Sequence, residues 1–188
     1  MAEATTTPAA VVENRSDARV LVAAPSRQNP PDDAPDALVI DLARCVEIDP
    51  LRLCRETARR SPATAIIGIG PEDRLTDGFQ LLRLGAVSWA TADDPDSPAC
   101  QRAVSATLDG ESVLSARHAA WILADFASLS QTGDGPDPRH NLTATEREVL
   151  TRLARGQDAE EIAAFHDVDP HLVNRHVRFA LNRLQRHR

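Results

Sequence analysis

The sequence predicts two domains of different class, an α/β domain followed by an all-α domain. In the first domain, short β-branched runs alternate with amphipathic helical patterns, which is typical of a parallel sheet covered by helices. In the second domain, three helix starts follow one another between residues 143 and 169. Between the two, residues 130–141 (SQTGDGPDPRHN) combine Gly, Pro and Asp, as linkers do.

The composition indicates a globular, acidic protein. Of its 188 residues, 42 % are apolar, and 28 acids outnumber 21 bases. No apolar run approaches the ~20 residues of a membrane helix, and Met1–Ala10 does not resemble a secretion signal, so we expect a cytoplasmic protein that contacts no membrane. The three cysteines have no CxxC spacing, which argues against a disulfide framework and a zinc site. All 21 bases are arginine, and the chain has no lysine and no tyrosine.

The first domain is expected over residues 18–114, after an unstructured tail at residues 1–17. Its strands are predicted from four apolar runs: Arg19–Ala23, Ala37–Asp41, Ala65–Ile69 and, more weakly, Val87–Ala90. Its helices begin at Asp49-Pro50, run from about Asp73 to Leu84, and begin again at Ser97-Pro98. The segment Ala24–Asp36 contains four prolines, which exclude a helix. A sheet of about four strands follows, with the first strand at an edge.

Residues 115–141 are predicted to form a helix, Ser115–Leu129, and a flexible linker. The third segment, residues 142–188, shows three helix starts, marked by the pairs Thr143 with Glu146, Asp158 with Glu161, and Asp169 with Pro170. The second helix is short, and the turn before the third is tight. Two helices joined by such a turn form a helix-turn-helix, whose second helix enters the DNA major groove.

The charge distribution also points to nucleic acid. Residues 142–188 carry 8 arginines and 7 acids, whereas the remainder carries 13 arginines and 21 acids. Residues 171–188 contain five arginines, three histidines and no acid. This asymmetry favours a nucleic-acid-facing end, with a solvated helix face as the alternative. The polar residues of the last helix that we expect to face outward are His171, Asn174, Arg175, Arg178 and Arg183.

Residues 142–184 resemble the DNA-binding domain of the LuxR/NarL family. The segment LTATEREVLTRLARGQDAEEIA matches the family pattern LTxxExxVLxxLAxGxxxxEIA, and LVNRHV lies where the family has TVKxHV. The resemblance implies base contacts by Asn174, Arg175 and Arg178, with His171 and Arg183 nearer to phosphates. Two departures are Leu172, in place of a hydroxyl residue, and Asn174, in place of a lysine. The sequence also ends where the family has a further helix used for dimer contacts.

The first domain resembles a response-regulator receiver over residues 19–129, without the usual first helix, second strand and second helix. Ala37–Asp41 resembles the phosphoacceptor strand, and LRLGAVSWA resembles the family's LRAGAxGYL. Of the groups that receiver phosphorylation needs, only Asp41 remains, because the acidic pair, the hydroxyl and the lysine are replaced. We therefore expect Asp41 to cap a loop, regulation to be independent of phosphorylation, and no metal or cofactor to be bound.

The missing elements predict that one apolar face of the sheet lacks a helix. Such a face usually finds a partner, so we expect that a second copy or the helix Ser115–Leu129 covers it, giving a homodimer. The function expected is a bacterial, sequence-specific transcription regulator that binds double-stranded DNA at two half-sites. The alternative is an interaction or ligand-sensing module for an unknown small molecule or protein, in which the helix-turn-helix is secondary. No catalytic motif is present, which argues against an enzyme.

Overall fold

The computed structural model describes residues 20–22, 35–45, 49–129 and 142–186. The strands are β1 (Val20–Val22), β2 (Ala37–Asp41), β3 (Ala65–Gly70) and β4 (Ser88–Thr91). The helices are α1 (Pro50–Arg60), α2 (Leu75–Leu84), α3 (Pro98–Leu108), α4 (Ala116–Leu129), α5 (Ala144–Ala154), α6 (Ala159–His166) and α7 (Pro170–Arg186). The predicted tail 1–17, most of the proline-rich segment and the linker 130–141 lie outside the described residues.

The four strands form one parallel sheet in the order β1-β2-β3-β4, so the predicted fold class and the edge position of β1 are confirmed. Apolar side chains on both faces of the sheet are buried, as in Val39, Ile40 and Ile67. Burial on both faces is typical of parallel sheets, which helices cover on each side. Helices α5, α6 and α7 follow as an all-α unit. One hydrophobic cluster runs from the sheet through α2 and α4 to α5 and α7, so the two units pack directly against each other.

The predicted helix starts are confirmed where a polar side chain caps the first turn. Asp49 Oδ1 accepts from the backbone N–H of Leu51 at 2.9 Å, and Ser97 Oγ accepts from that of Cys100 at 3.2 Å. Helix α2 begins two residues later than predicted, since a short 3-10 turn, Glu72–Arg74, precedes it. It ends at Gly85, whose φ of 129° disfavours any other residue.

The two faces of the sheet are covered by different helices. Helices α1, α2 and α4 lie on one face, and α3 lies on the other, where it contributes Cys100, Ala103 and Val104. The described strand side chains of this second face are buried, Val39 and Ile67 completely, except that of Ala65, which is partly buried. The prediction of an open apolar face is therefore wrong for these residues. The prediction that α4 covers it is wrong as well, because an apolar strand pattern does not show which part of the chain packs against it.

Helix α4 is held on its own face by His118, which the sequence analysis did not single out. His118 Nε2 lies 3.1 Å from the carbonyl oxygen of Leu75, and Nδ1 lies 2.7 Å from Ser115 Oγ. Because a carbonyl only accepts, Nε2 carries the proton and the Ser115 hydroxyl donates to Nδ1. The ring packs against Trp89 and Trp121 at centroid distances of 5.0 and 5.7 Å. Burial lowers the pKa of His118 to about 4.

The all-α unit is built on two complete capping boxes, as predicted. Thr143 Oγ1 accepts from the N–H of Glu146, whose carboxylate accepts from the N–H of Thr143. Asp158 and Glu161 form the same reciprocal pair at the start of α6. Asp167, with a left-handed φ of 54°, ends α6 and begins the three-residue turn to α7. No helix in the described part of the chain is long and apolar enough to cross a membrane.

Candidate nucleic-acid interface

Helix α7 presents three faces. The apolar face, including Val173, Val177 and Leu181, is buried in the core of the all-α unit. A second face lies against the α/β domain, and a third faces solvent. The predicted DNA-binding residues are distributed between the second and third faces, so their availability differs from one residue to the next.

Glu111 holds the first turn of α7 against the α/β domain. It lies in the segment between α3 and α4 and is only 4 % exposed. Its Oε1 lies 2.5 Å from His171 Nδ1, and its Oε2 accepts from Asn174 Nδ2 at 3.1 Å. The Ser112 N–H also donates to the carbonyl oxygen of Asn174 at 3.2 Å. One carboxylate therefore engages two of the five predicted DNA-binding side chains.

The contact with Glu111 affects the protonation of His171. The hydrogen bond and the negative charge of Glu111 raise the pKa of His171, with a further contribution from Asp169. The protonated imidazole donates to the carboxylate through Nδ1. This ion pair lies at the edge of the interface, since 71 % of the His171 side chain is exposed. Its role is therefore to orient α7 more than to stabilise the fold.

Arg178 also lies on the docked face, and its environment is unfavourable. Its Nη1 atom is buried with no hydrogen-bond acceptor in the part of the chain that the structure describes. Burial lowers the pKa of Arg178, although a guanidinium remains charged in proteins. A buried N–H without a partner is costly. Packing of α7 against the α/β domain thus leaves unsatisfied a group that an external oxygen atom would satisfy.

A second contact holds the far end of α7. Gln185 Nε2 donates to the carbonyl oxygens of Leu82 and Ala86, at 2.9 Å each, at the end of α2. These carbonyls belong to the last turn of α2 and the residues after it, where helix carbonyls have no partner within the helix. Together with Glu111, Gln185 fixes α7 along most of its length. The structure is thus a closed arrangement of the two domains.

The two remaining predicted residues lie away from the docked face. Arg175 is exposed. Arg183 Nε donates to Glu146 at 3.1 Å, the same buried carboxylate that caps α5. The structure therefore places His171, Asn174 and Arg178 towards the α/β domain, leaves Arg175 accessible, and gives Arg183 a structural partner.

Asp41 lies at the carboxyl end of β2 and is fully buried. Its Oδ1 accepts from the Ala43 N–H at 2.9 Å, and Arg44 Nε lies 3.4 Å from Oδ2. Burial raises the pKa of Asp41, and it outweighs the Ala43 hydrogen bond and the Arg44 charge, which lower it. Within the described ranges, no group of three His, Cys, Asp or Glu side chains could hold a metal ion. These contacts are those of a carboxylate that caps the loop after a strand.

Glu111, like Gln185, is a residue of the contact between the domains that the sequence analysis did not predict. It lies 60 positions from His171 and 63 from Asn174. Its motif, DGES, precedes α4 and has no local signal of its own. Only the docking of the two domains brings these side chains together.

No protein-family model and no curated protein matches the chain. Among solved structures, it is similar to the response regulator ChrA of a heme-sensing two-component system, at 23 % identity and a TM-score of 0.36 over 81 % of this chain and 75 % of that one. It is also similar to the response regulator RcsB of Salmonella typhimurium (19 %, 0.38, over 81 % and 70 %) and to full-length FixJ of B. japonicum (20 %, 0.30, over 79 % and 67 %). Identities and scores this low say nothing of what this chain binds.

Proposed function

We propose that this chain is a DNA-binding transcription regulator whose helix α7 enters the major groove of duplex DNA. The observation that carries the proposal is the geometry of α6 and α7, which are joined by a three-residue turn, with α7 free of acids and rich in arginine. Arginine binds guanine through two hydrogen bonds, and asparagine binds adenine in the same way. The predicted set is His171, Asn174, Arg175, Arg178 and Arg183.

The described arrangement is the closed form of this regulator. Glu111 and Gln185 hold α7 against the α/β domain, and DNA competes for the same face of α7. The apparent affinity for DNA is then reduced by the fraction of molecules that are closed. Opening frees the Nη1 atom of Arg178 to bond to a base or phosphate oxygen.

Regulation in this proposal does not involve phosphorylation of Asp41. Its carboxylate is buried, bound to its own loop, and has a raised pKa. Phosphorylation also needs a hydroxyl and a lysine near the acceptor, and the positions expected for these two groups, near Gly70 and Ala92, bear neither. DNA binding should be the same with and without a small phosphodonor such as acetyl phosphate.

We further propose that the active species is a homodimer on two half-sites. A single reading helix contacts only a few base pairs, so two copies are needed for a long, specific operator. The surface that joins the copies is not the α3 face of the sheet, whose described side chains are buried within one chain. Sedimentation that shows one copy per operator would contradict the dimer.

The competing function is an interaction or ligand-sensing module. It is favoured by one observation: Glu111 already engages His171 and Asn174, so the all-α unit serves as a partner of the α/β domain. In that case duplex DNA would bind weakly and without sequence preference. The same measurement separates the two functions.

The test is a selection of bound duplexes from a random library, followed by fluorescence anisotropy on the selected sequence. Arg175→Ala should weaken binding by about 1–3 kcal/mol if Arg175 contacts a guanine. Arg55→Ala is the matched control, because Arg55 is an exposed arginine on the distant helix α1. Equal affinities of the two variants, or no enriched sequence, would contradict the proposal.

A further inference from the structure

A cavity of about 390 Å³ lies between the two domains, beside the Glu111 contact. Its wall on one side is formed by α3 and by the segment that leads into α4. Its opposite wall is formed by the end of α5, the following loop, the start of α6 and one side of α7. The volume is in the range of small-molecule sites in proteins.

The Ser112 hydroxyl is an unsatisfied polar group in the lining of this cavity. This residue lines the cavity and is fully buried, and its Oγ atom has no hydrogen-bond partner among the residues that the structure describes. A buried hydroxyl normally has a partner, because an unmade hydrogen bond costs free energy. Because Ser112 lines the cavity, a polar group of a ligand that reaches this hydroxyl would supply the missing partner.

The two walls differ in charge. On the α/β side, Arg102 lines the cavity and forms no ion pair with the described residues. On the opposite side, Asp158 and Glu160 line it at the start of α6. The donors Arg102 and Ser112 therefore face two carboxylates across the space. A ligand with an anionic and a cationic group would match both walls.

Apolar side chains from both domains form a further part of the lining, beside the polar Gln157 and Asn174. The apolar part includes Ala106, Val113, Leu114, Ala116, Leu153 and Val177. A ligand of about 10 non-hydrogen atoms with one apolar side chain fits such a space.

We propose that this cavity binds an apolar α-amino acid. The carboxylate lies against Arg102 and the Ser112 hydroxyl, the ammonium lies against Asp158 and Glu160, and the side chain packs on the apolar lining. Each polar group of the ligand then meets a group of opposite character, and the unsatisfied Ser112 hydroxyl acquires a partner.

The site also links the amino acid to the position of α7. Its two walls belong to different domains, so the ligand binds only the closed arrangement. Asn174 both lines the cavity and donates to Glu111. A ligand that binds one state alone shifts the equilibrium towards it. This consequence, unlike binding itself, rests on the proposed function: the amino acid should lower the affinity for DNA, and DNA should lower the affinity for the amino acid by the same factor.

Binding is tested with the full chain and with L-leucine and L-phenylalanine as probes, by isothermal titration and by the shift of Tm. Two analogues of L-leucine serve as controls: 4-methylpentanoate lacks the ammonium, and 3-methylbutylamine lacks the carboxylate. We expect saturable binding and a raised Tm with at least one amino acid, and at least tenfold weaker binding of its analogues. Absence of saturation by both amino acids up to about 10 mM, or equal binding of the analogues, would overturn the proposal.

Variants locate the site. Ser112→Ala and Arg102→Gln should each weaken amino-acid binding about tenfold, and Ala106→Phe should abolish it by filling the cavity. Arg55→Gln, an exposed arginine on α1, is the control. Glu160→Gln changes an exposed residue, so we expect the variant to fold normally. It should weaken the binding of L-leucine but not that of 4-methylpentanoate, which has no ammonium group. Binding that is unchanged in Arg102→Gln, Glu160→Gln and Ala106→Phe would overturn the assignment.

The DNA arm separates this inference from the proposed function. If L-leucine or L-phenylalanine binds and also weakens DNA binding, the result supports both the amino-acid site with its link to α7 and the proposed function. If it binds and DNA affinity is unchanged, the link to α7 is overturned. If no duplex is ever bound, the proposed function fails, and the titrations still decide whether the cavity binds an amino acid.

Discussion

Asp41 and Glu111 are both buried carboxylates of the α/β domain, yet they act over different ranges. Asp41 bonds to Ala43, two residues away, and stabilises the loop after its own strand. Glu111 bonds to His171 and Asn174, sixty or more residues away, and joins two domains. Burial alone therefore does not distinguish a carboxylate that supports its own loop from one that joins two domains. The position of its partners decides whether it supports a loop or controls an interface.

The largest effect concerns a third buried group, His118, which bonds both to the nearby Ser115 and to the distant carbonyl of Leu75 within the same domain. Its pKa of about 4 lies below the ordinary value of 6.5, so the unfolded chain takes up this proton first as the pH falls. The free energy of unfolding should therefore decrease by about 3 kcal/mol between pH 6.5 and pH 4. Denaturation with urea at a series of pH values measures the decrease.

His118→Gln is the control for this prediction. The variant should be less stable at neutral pH, because it loses the hydrogen bonds and the packing against Trp89. It should also lack the part of the pH dependence that His118 contributes. An identical pH dependence in the variant would show that His118 is not the group that titrates.

The next effect distinguishes the accessible face of α7 from the docked one. Arg175 is exposed, whereas Arg178 is partly buried. Arg175→Ala should weaken DNA binding by about 1–3 kcal/mol and leave the unfolding free energy within about 0.5 kcal/mol of the parent. Arg178→Ala should change both quantities. Fluorescence anisotropy and urea denaturation on the same preparations measure the DNA affinity and the free energy of unfolding. Equal changes of both quantities in the two variants would contradict the prediction.

A smaller effect, of opposite sign, is expected from removing the contact between the domains. Glu111→Ala removes the partner of His171 and Asn174, so it should increase the open fraction and tighten DNA binding by about fivefold. The radius of gyration from X-ray scattering should increase as well. Glu72→Ala, at an exposed acid of the same domain, is the charge-matched control. Unchanged affinity and unchanged scattering would show that Glu111 does not hold the domains closed.

The smallest effect is expected at Asp41. The raised pKa means that the folded chain takes up this proton before the unfolded chain does, so stability from this group increases as the pH falls through the folded-state pKa. Asp41→Asn should remove that gain and change stability at neutral pH by less than about 1.5 kcal/mol. DNA affinity should be equal in both proteins, with and without acetyl phosphate. A phosphodonor effect that Asp41→Asn abolishes would reverse the comparison with Glu111.

Local signals in the sequence account for the parts of the fold that were predicted well. Asp49, Ser97, Thr143 and Asp158 each cap a helix through backbone groups two or three residues away, so their hydrogen bonds could be inferred from spacing alone. The strands were predicted because parallel strands that are buried on both faces are almost continuously apolar. The candidate DNA-binding residues were placed on α7 by its helical period, but their contacts were not predicted.

Contacts between distant segments could not be predicted in this way. The apolar face of α4 fits either side of the sheet, and the bond from His118 to the carbonyl of Leu75 shows which side it takes. A single acid such as Glu111 has the same local signal whether it faces water or a second domain.

Sequence patterns alone were enough to predict the fold class, most helix boundaries and the candidate DNA-binding residues of α7. These depend on interactions within a few residues, or on a repeating apolar pattern. Only the tertiary structure decided that Glu111 and Gln185 hold α7 against the α/β domain, and that a cavity with opposite charges on its walls lies beside that contact. The physical reason is that docking depends on the shapes and charges of two complete surfaces, which exist only after each unit has folded.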